Sequence, residues 1–487
     1  MRLLYAFLIR LFAGSRSLSS FVRLSVMVVL LAHSAAHAQT DSISRGQIVE
    51  RIEALNDASQ SYALYLPSNY TPDRKWPVLY AFDPGARGRV PVERFKEAAE
   101  KYGWIVLGSN NSRNGPWAVV VNAWNAMLTD SHQRFAINDD RMHATGFSGG
   151  ARAAVRIAAG CKCLAGVMAN GAGFPSDLAP SPQMHFVFFG AAGVDDFNYP
   201  EIKSLEEPLT KAGIIHRVQT FAGRHEWPPV SVATAAVEWM ELHAIKAGKR
   251  PRDDGFVNAI WQQLLSDARA LEEAKKYNEA YQLYLDVAQS FKGVRDVADI
   301  EAKVNQLGSS GELKAAIREE QAQIKKQREL ESRLNTLIAA RDGRASINQS
   351  DEGFNAETLL SKILNDLRKQ SKASEDSNQR RVARRVLDGL FVGLIEQGIS
   401  LLQTEKNYSE SIKPLKLATE VNPDRPGAFF YLAWAYAANR DKKKSLQSLN
   451  TAVEKGFSDT AMITANKAFD SLRNDPEYQQ IMARLRK

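Results

Sequence analysis

Between residues 46 and 250, short apolar runs alternate with amphipathic stretches, and this alternation constrains the fold more than any other feature of the sequence. The run 76–82, WPVLYAF, is continuously apolar, as expected of a strand buried on both faces. The stretch 92–103, VERFKEAAEKYG, has helical spacing and ends at a glycine. Strands that alternate with helices predict a mostly parallel, doubly wound sheet, so the predicted fold class is α/β.

The same reading extends over the whole of the segment 46–250. Further strands are predicted at 60–67, 104–110, 142–147, 164–171, 185–191 and 215–223. Further helices are predicted at 116–135, 150–160, 201–213 with a bend at Pro208, and 232–248.

The first 38 residues have the pattern of a secretory signal peptide. Arginines precede the apolar run LSVMVVLLA (24–32), and AHA at 36–38 offers small residues where a signal peptidase reads them. The apolar run is short for a bilayer span. The sequence therefore predicts cleavage before Gln39, a periplasmic or secreted protein, and no stable membrane span afterwards. An uncleaved membrane anchor is the alternative.

Charge and cysteine usage argue against several classes of function. The formal net charge is +8, of which four arginines leave with the signal peptide, and the dispersed remainder is too small to predict nucleic-acid binding. Cys161 and Cys163 are too few for a disulfide framework or a structural zinc site, so two free or packed thiols are expected, with a small strained disulfide ring between them as the alternative in an oxidising compartment. No metal or organic cofactor is predicted.

From about residue 251 the strand patterns stop, and the sequence predicts helices to the end. The segment 251–380 holds a long polar helix at 312–334 that fits a coiled coil, with links predicted at 342–355 and 371–379. The segment 385–487 repeats itself, because 407–423 and 441–457 align with a period of 34 residues. The matched pairs are Ser411 with Ser445, Leu415 with Leu449, and Ala418 with Ala452.

This spacing resembles the tetratricopeptide repeat, over roughly 390–487 and more weakly over 259–294. The resemblance implies a helical repeat region that binds a protein partner. A generic helical bundle is the alternative reading.

The pentapeptide GFSGG, residues 146–150, lies between a predicted strand and a predicted helix. That is the context of the nucleophile elbow, in which small residues are needed because strand and helix nearly touch. Ser148 is therefore the candidate nucleophile; a serine in an ordinary glycine-rich turn is the alternative.

A serine hydroxyl needs a base, and the base needs an orienting acid. On this fold the chain order is serine, acid, histidine, which leaves His225 in the loop after the strand 215–223 as the best base. His216 lies within that strand. The acid should follow the strand 185–191, where Asp195 and Asp196 are adjacent; Asp196 is preferred, and Asp177 is a minor candidate.

With the motifs GFSGG, GVDD and GRHEW, the stretch 60–245 resembles an α/β-hydrolase of the esterase, phospholipase and feruloyl-esterase type. The resemblance implies an oxyanion hole, for which the donors expected here are Gly149 and either Gly85 or Ala86. It departs from the family where a His-Gly pair is replaced by FDPGARG (82–88), because Pro84 has no N–H to donate. Loop residues expected to line the substrate pocket are Asn110, Asn111 and Trp117.

The sequence thus predicts an exported serine hydrolase that cleaves a small-molecule carboxylic ester through an acyl-enzyme. All candidates of the triad precede Lys249, so the chemistry is expected to need only the segment 46–250. Two alternatives remain open: a tetratricopeptide interaction protein with a degenerate hydrolase domain, and a serine peptidase on the same fold.

Overall fold

The computed structural model describes residues 43–343 and 355–485. The predicted signal peptide, 1–38, and most of the predicted link 342–355 lie outside the described residues. The described chain divides into two compact units. The first comprises 43–192, Glu201–Phe221 and Glu226–Gln306; the second comprises Gly193–Pro200, Ala222–His225, 307–343 and 355–485. The ranges predicted from sequence, 46–250, 251–380 and 385–487, stay predictions.

Eight strands form one sheet in the order β1-β2-β4-β3-β5-β6-β7-β8. The first two pairings, β1 with β2 and β2 with β4, are antiparallel, whereas β4, β3, β5, β6 and β7 pair in parallel. The strands are β1 Ile48–Ala54, β2 Asp57–Tyr65, β3 Trp76–Phe82, β4 Ile105–Ser109, β5 Ile137–Phe147, β6 Gly166–Asn170, β7 Val187–Gly193 and β8 His216–Phe221. The predicted mostly parallel α/β sheet is confirmed.

Side chains of the strands alternate between two apolar cores, one on each face of the sheet. Tyr62 and Leu64 of β2 pack in one core together with α2 and α3, while Ala63 and Tyr65 pack in the other together with α1 and α6. The helices before residue 310 are α1 Arg89–Tyr102, α2 Trp117–Arg134, α3 Gly149–Cys161, α4 Tyr199–Lys203, α5 Glu206–Lys211, α6 Val230–Lys246, α7 Asp254–Glu273, α8 Tyr277–Phe291 and α9 Ala298–Ser309.

Two local expectations differ from the structure. The helix predicted over 201–213 with a bend at Pro208 is two short helices, and the chain breaks between Lys203 and Glu206. Pro208 lies in the first turn of α5, where a missing N–H costs no helical hydrogen bond. Cys161 and Cys163 are joined by a disulfide bond, so the expectation of two unpaired thiols is wrong. Lys162, between them, has a φ of 53° and turns the chain back at the end of α3.

The second unit is built mainly from helices. Their bounds are α10 Gly311–Arg341, α11 Ala356–Ser371, α12 Asn378–Ile399 with a π-helical turn Ser400–Thr404, α13 Tyr408–Val421, α14 Pro426–Ala438, α15 Lys442–Glu454, α16 Thr460–Ala465, a 3-10 turn Lys467–Leu472 and α17 Pro476–Leu485. The polar helix predicted at 312–334 lies within α10, which packs against α11 and α12. By length and composition alone, Asn378–Thr404 is long and apolar enough to cross a membrane. A core helix has the same character, and α12 contributes Ala383 and Val386 to a buried cluster.

Two buried histidines predict that the fold loses stability in acid. Burial lowers the pKa of His143 and of His243 to about 3 in each case. Because the folded pKa lies below the unfolded value, their contribution is present above about pH 6.5 and is lost as the pH falls toward 3. We expect a slope of about 1.4 kcal/mol per pH unit for each histidine. His143→Gln should flatten the fall in unfolding free energy, measured in urea between pH 7 and pH 4.5. The exposed His185→Gln should leave it as in the wild type; equal slopes in all three proteins would contradict the prediction.

Candidate active site

Ser148 stands in the turn between β5 and α3. Its backbone has φ 53° and ψ −120°, a conformation that a residue with a Cβ rarely adopts. The Ser148 N–H donates to the Asn170 carbonyl oxygen at 2.8 Å, which ties the turn to the end of β6. The predicted strand–serine–helix order is therefore present, and the serine occupies a strained position of the kind that functional sites retain.

Close contact between strand and helix explains the glycines around Ser148. A Cβ added to Gly146 would lie 2.0 Å from the Gly150 carbonyl oxygen, and one added to Gly150 would lie 1.9 Å from the Phe82 carbonyl oxygen. No side chain fits at either distance. Glycines at 146 and 150 are thus required by the packing of β5, α3 and the end of β3.

Asn170, which the sequence analysis did not single out, holds the turn from β6. Its buried amide nitrogen donates to the Thr145 hydroxyl at 3.1 Å and to the Gly146 carbonyl oxygen at 3.0 Å. We expect Asn170→Ala to lower the free energy of unfolding by about 1–3 kcal/mol, because it leaves buried acceptors unpaired. Urea denaturation would measure this, with the exposed Asn335→Ala as control. A change equal to that of the control would contradict the prediction.

Asp196 and His225 are in direct contact. The Nδ1 atom of His225 lies 2.8 Å from Oδ1 of Asp196, and the Asp196 side chain is fully buried. Oδ1 also accepts the Asn198 backbone N–H at 2.8 Å, which aims the carboxylate. Burial raises the pKa of Asp196, and the hydrogen bond from His225 opposes that shift. A carboxylate that fixes Nδ1 leaves Nε2 to accept a proton, as a general base requires.

Asp195 is turned away from the imidazole. Its carboxylate binds Arg384 Nη1 at 2.7 Å, and its backbone N–H donates to the Gly223 carbonyl oxygen at 2.9 Å. The ring of Phe197 packs on His225 with a centroid distance of 4.1 Å. Adjacent residues of the loop after β7 therefore serve different purposes, and only Asp196 contacts the histidine. Asp177, the minor candidate, instead pairs with Arg156.

The loop after β3 is organised around Asp83. This fully buried carboxylate accepts the Gly85 N–H, the Arg87 guanidinium and the Trp227 indole N–H, the first and last at 2.8 Å. The Ala86 N–H donates to the Asp83 carbonyl oxygen at 3.2 Å. Both predicted oxyanion donors of this loop are thus engaged by Asp83. Sequence did not reveal this, because an aspartate before proline reads as an ordinary turn residue.

Gly149 remains as a candidate oxyanion donor. It is the first residue of α3, and the first N–H groups of a helix have no intrahelical partner. The Asn114 side chain lies directly beside it, since a Cβ on Gly149 would be 1.9 Å from Asn114 Oδ1. Asn114 belongs to the loop before α2, which also carries the predicted pocket residues Asn110 and Asn111.

The predicted substrate-lining residues have other partners. Asn111 bonds the backbone of Ser61 and Ser59, and Asn110 bonds the backbone of Glu50. These amides hold β4 to the antiparallel strands, and a role of Asn110, Asn111 and Trp117 in lining the pocket stays a prediction. Trp117 is exposed at the start of α2, with the Arg156 guanidinium over its ring.

Across residues 43–343 and 355–485, no group of three or more histidine, cysteine, aspartate or glutamate side chains is arranged to hold a metal ion.

Comparison with known proteins gives structural likenesses only. No family model and no curated protein matches the sequence. Among solved structures, the chain is similar to S-formylglutathione hydrolase from Staphylococcus aureus, with 14% identity over 41% of this chain and 98% of that one and a TM-score of 0.32. It is also similar to a ferulic acid esterase, with 16% identity, 40% and 97% coverage and a TM-score of 0.35. Est1E from Butyrivibrio proteoclasticus shows 12% identity, 41% and 100% coverage and a TM-score of 0.33.

The molecule's own architecture defines its class. An eight-stranded, mostly parallel sheet with a strained serine between a strand and a helix is the arrangement of an α/β-hydrolase. The chain therefore has an α/β-hydrolase fold and a helical C-terminal region.

Proposed function

We propose that this protein is a serine hydrolase that cleaves carboxylic esters, with Ser148 as nucleophile, His225 as general base and Asp196 as the orienting acid. The observation that carries the proposal is the hydrogen bond of 2.8 Å between His225 and Asp196. Both residues follow Ser148 in the chain in the order that this fold uses. Ser148 attacks the ester carbonyl, His225 takes its proton and returns it to the leaving alcohol, and water then releases the acid by the same route.

The test is turnover of a panel of p-nitrophenyl esters, from acetate to longer acyl chains, by the full-length protein. A small-molecule ester should be hydrolysed, and the acyl preference would identify the substrate class. The panel also includes a p-nitroanilide peptide, because cleavage of the anilide without the esters would favour a peptidase. Absence of turnover on every substrate would contradict the proposal.

His225→Ala should lower kcat by several orders of magnitude, about 10⁴-fold or more, while the fold stays intact. His216→Ala is the matched control, because His216 begins β8 and its Nδ1 lies 2.8 Å from the Ile214 carbonyl oxygen. His216→Ala should lower the melting temperature and leave kcat close to the wild-type value. Loss of activity in a well-folded His216→Ala protein, with His225→Ala active, would reverse the assignment.

The loop after β3 favours a second candidate function. The N–H groups of Gly85 and Ala86 already donate to Asp83. One of the two donors expected in the oxyanion hole is therefore engaged elsewhere. A fold without that donor suits an interaction protein whose hydrolase domain is not catalytic. Ester turnover decides between the two, since loss of one oxyanion donor costs about 10²–10³-fold and not the whole of catalysis.

We also propose that the C-terminal helices are tetratricopeptide-like repeats that bind a protein partner. In support, all six residues matched at the 34-residue period are fully buried: Ser411, Leu415, Ala418, Ser445, Leu449 and Ala452. The Ser445 hydroxyl donates to the Ala433 carbonyl oxygen at 2.9 Å, so α14 and α15 approach closely at a small residue.

Export to the periplasm or the medium is part of the same proposal. The disulfide between Cys161 and Cys163 supports it, because disulfide bonds persist in oxidising compartments. Mass spectrometry of the mature protein should place its first residue at Gln39. An N-terminus at Met1 would contradict export through a cleaved signal peptide.

A further inference from the structure

In the second unit, the two loops that carry Asp196 and His225 lie against the helices α10 and α12. Four residues of α12 make these contacts: Arg384, Arg385, Asp388 and Gly389. Arg384 and Asp388 are one helical turn apart, and so are Arg385 and Gly389, so the four residues lie on one face of the helix. The contacts reach both loops, although the hydrogen-bonded partners are 164 to 191 residues apart along the chain.

The loop 193–200 is held by a buried guanidinium. The Arg385 side chain is 1% exposed, and its Nε donates to the Val194 carbonyl oxygen at 2.8 Å, with a second donation from Nη2. Its charged plane lies 3.9 Å from the centre of the Tyr199 ring. Arg385 therefore touches the loop on both sides of Asp196, two residues before it and three residues after it.

The loop 222–225 is held by the same helix through a bidentate ion pair. Arg224, directly before His225, donates from Nε and Nη2 to Asp388 at 2.8 Å and 2.6 Å. Asp388 is almost fully buried, and paired N–H donors fix the orientation of an arginine as well as its position. The residue next to His225 thus has its position set by α12.

Phe197 links the loop to the second helix. Its ring packs on the imidazole of His225, and its backbone carbonyl oxygen accepts a hydrogen bond from Gln327 of α10 at 3.1 Å. A Cβ added to Gly389 of α12 would lie 3.1 Å from the Cβ of Phe197. A Cβ at position 389 would therefore make a tight contact with Phe197, and the absence of one lets the ring approach the helix.

We propose that α10 and α12 position the acid–histidine pair, with Arg385 and Asp388 as positioning residues for Asp196 and His225. The inference deepens the proposed function and rests on it: the helical region is part of the catalytic apparatus as well as a partner-binding surface. A buried arginine costs solvation energy that an apolar side chain of the same size would not. The place of Arg385 beside the loop of Asp196 is explained if the side chain fixes that loop. Its positive charge also acts to lower the pKa of Asp196.

The test compares three variants of the full-length protein with p-nitrophenyl acetate as substrate. Arg385→Met keeps the length of the side chain but removes the charge and the donors, and Arg385→Lys restores the charge and one donor. Arg380→Met is the matched control, because Arg380 lies on the same helix and its guanidinium donates to Ser374 and Asp376, outside the two loops. We expect Arg385→Met to lower kcat about 10- to 100-fold with little change in KM, as for a misplaced catalytic group. Arg385→Lys should recover most of the loss, and Arg380→Met should match the wild type.

A readout independent of turnover is the far-downfield proton resonance of the His225–Asp196 hydrogen bond. It should weaken or vanish in Arg385→Met and persist in Arg380→Met. A folded Arg385→Met protein with wild-type kcat and an unchanged resonance would overturn the inference. If Arg385→Met does not fold, Asp388→Asn replaces it. We then expect both a lower kcat and loss of the resonance. Wild-type kcat and an unchanged resonance in a folded Asp388→Asn protein would contradict the inference. If the wild type hydrolyses no ester, the proposed function fails, and the resonance alone then decides the positioning.

Discussion

Ser148→Ala is expected to abolish both ester turnover and labelling by a fluorophosphonate probe. Only an activated serine attacks such a phosphorus centre readily, and Ser148 occupies the strained turn between β5 and α3. We expect kcat to fall about 10⁵- to 10⁶-fold, the loss that removal of the nucleophile of a serine triad produces. Labelling followed by peptide mapping, together with p-nitrophenyl acetate turnover, measures both effects. The fold should be retained, because alanine also fits where the serine Cβ already stands.

The matched control for this experiment is Ser204→Ala, which replaces an exposed serine that bonds only the Glu201 carbonyl oxygen. It should label and turn over ester as the wild type does. Wild-type labelling of Ser148→Ala would show that the nucleophile lies elsewhere. Labelling of the wild type without ester turnover would instead point to an activated serine that acts on another acyl or phosphoryl substrate.

Much of the fold could be predicted from the sequence, because buried strands of the sheet, such as β3 and β4, are apolar on both faces. The predicted run 76–82 coincides with β3, and the predicted strand 104–110 contains β4. The edge strand β1, Ile48–Ala54, was missed. Its residues IVERIEA are only partly buried, so charged side chains interrupt the alternation from which strands are recognised.

Some residues of the candidate site could likewise be predicted from the sequence, and others could not. Residues set by local sequence, such as Ser148 between glycines, could be found from their neighbours in the chain. The contacts of Asn110 and Asn111 could not, because their partners Ser59, Ser61 and Glu50 are distant in the chain. Gly85 and Ala86 instead donate to Asp83 of the same loop, a contact that depends on how the loop folds. The arginines of α12 gave no signal, since a helix with four arginines reads as a solvated surface. The expectation that the segment 46–250 suffices for the chemistry rested on the triad candidates, all of which precede Lys249.

The two adjacent aspartates after β7 provide the second large effect. The two aspartates lie in a turn that is closed by the Asp196 N–H donating to the Gly193 carbonyl oxygen at 3.0 Å, and in it Asp196 contacts His225 while Asp195 contacts Arg384. Asp196→Asn should therefore act on the imidazole, and Asp195→Asn on an ion pair of the loop. The two substitutions change the same functional group at neighbouring positions, so each is the control for the other.

Asp196→Asn is expected to lower kcat about 10³- to 10⁴-fold with little change in fold stability. The carboxylate accepts the hydrogen bond from Nδ1 of His225 and so favours the tautomer whose unprotonated Nε2 can take the serine proton. An amide that donates to Nδ1 stabilises the opposite tautomer, in which Nε2 carries the proton and cannot act as a base. Asp195→Asn keeps an oxygen that accepts from Arg384, so its effect on kcat should be about tenfold or less. Steady-state kinetics on p-nitrophenyl acetate, with melting curves for both variants, measures the difference. A larger loss in Asp195→Asn than in Asp196→Asn would mean that Asp195 orients the base during turnover, and the assignment of Asp196 would fail.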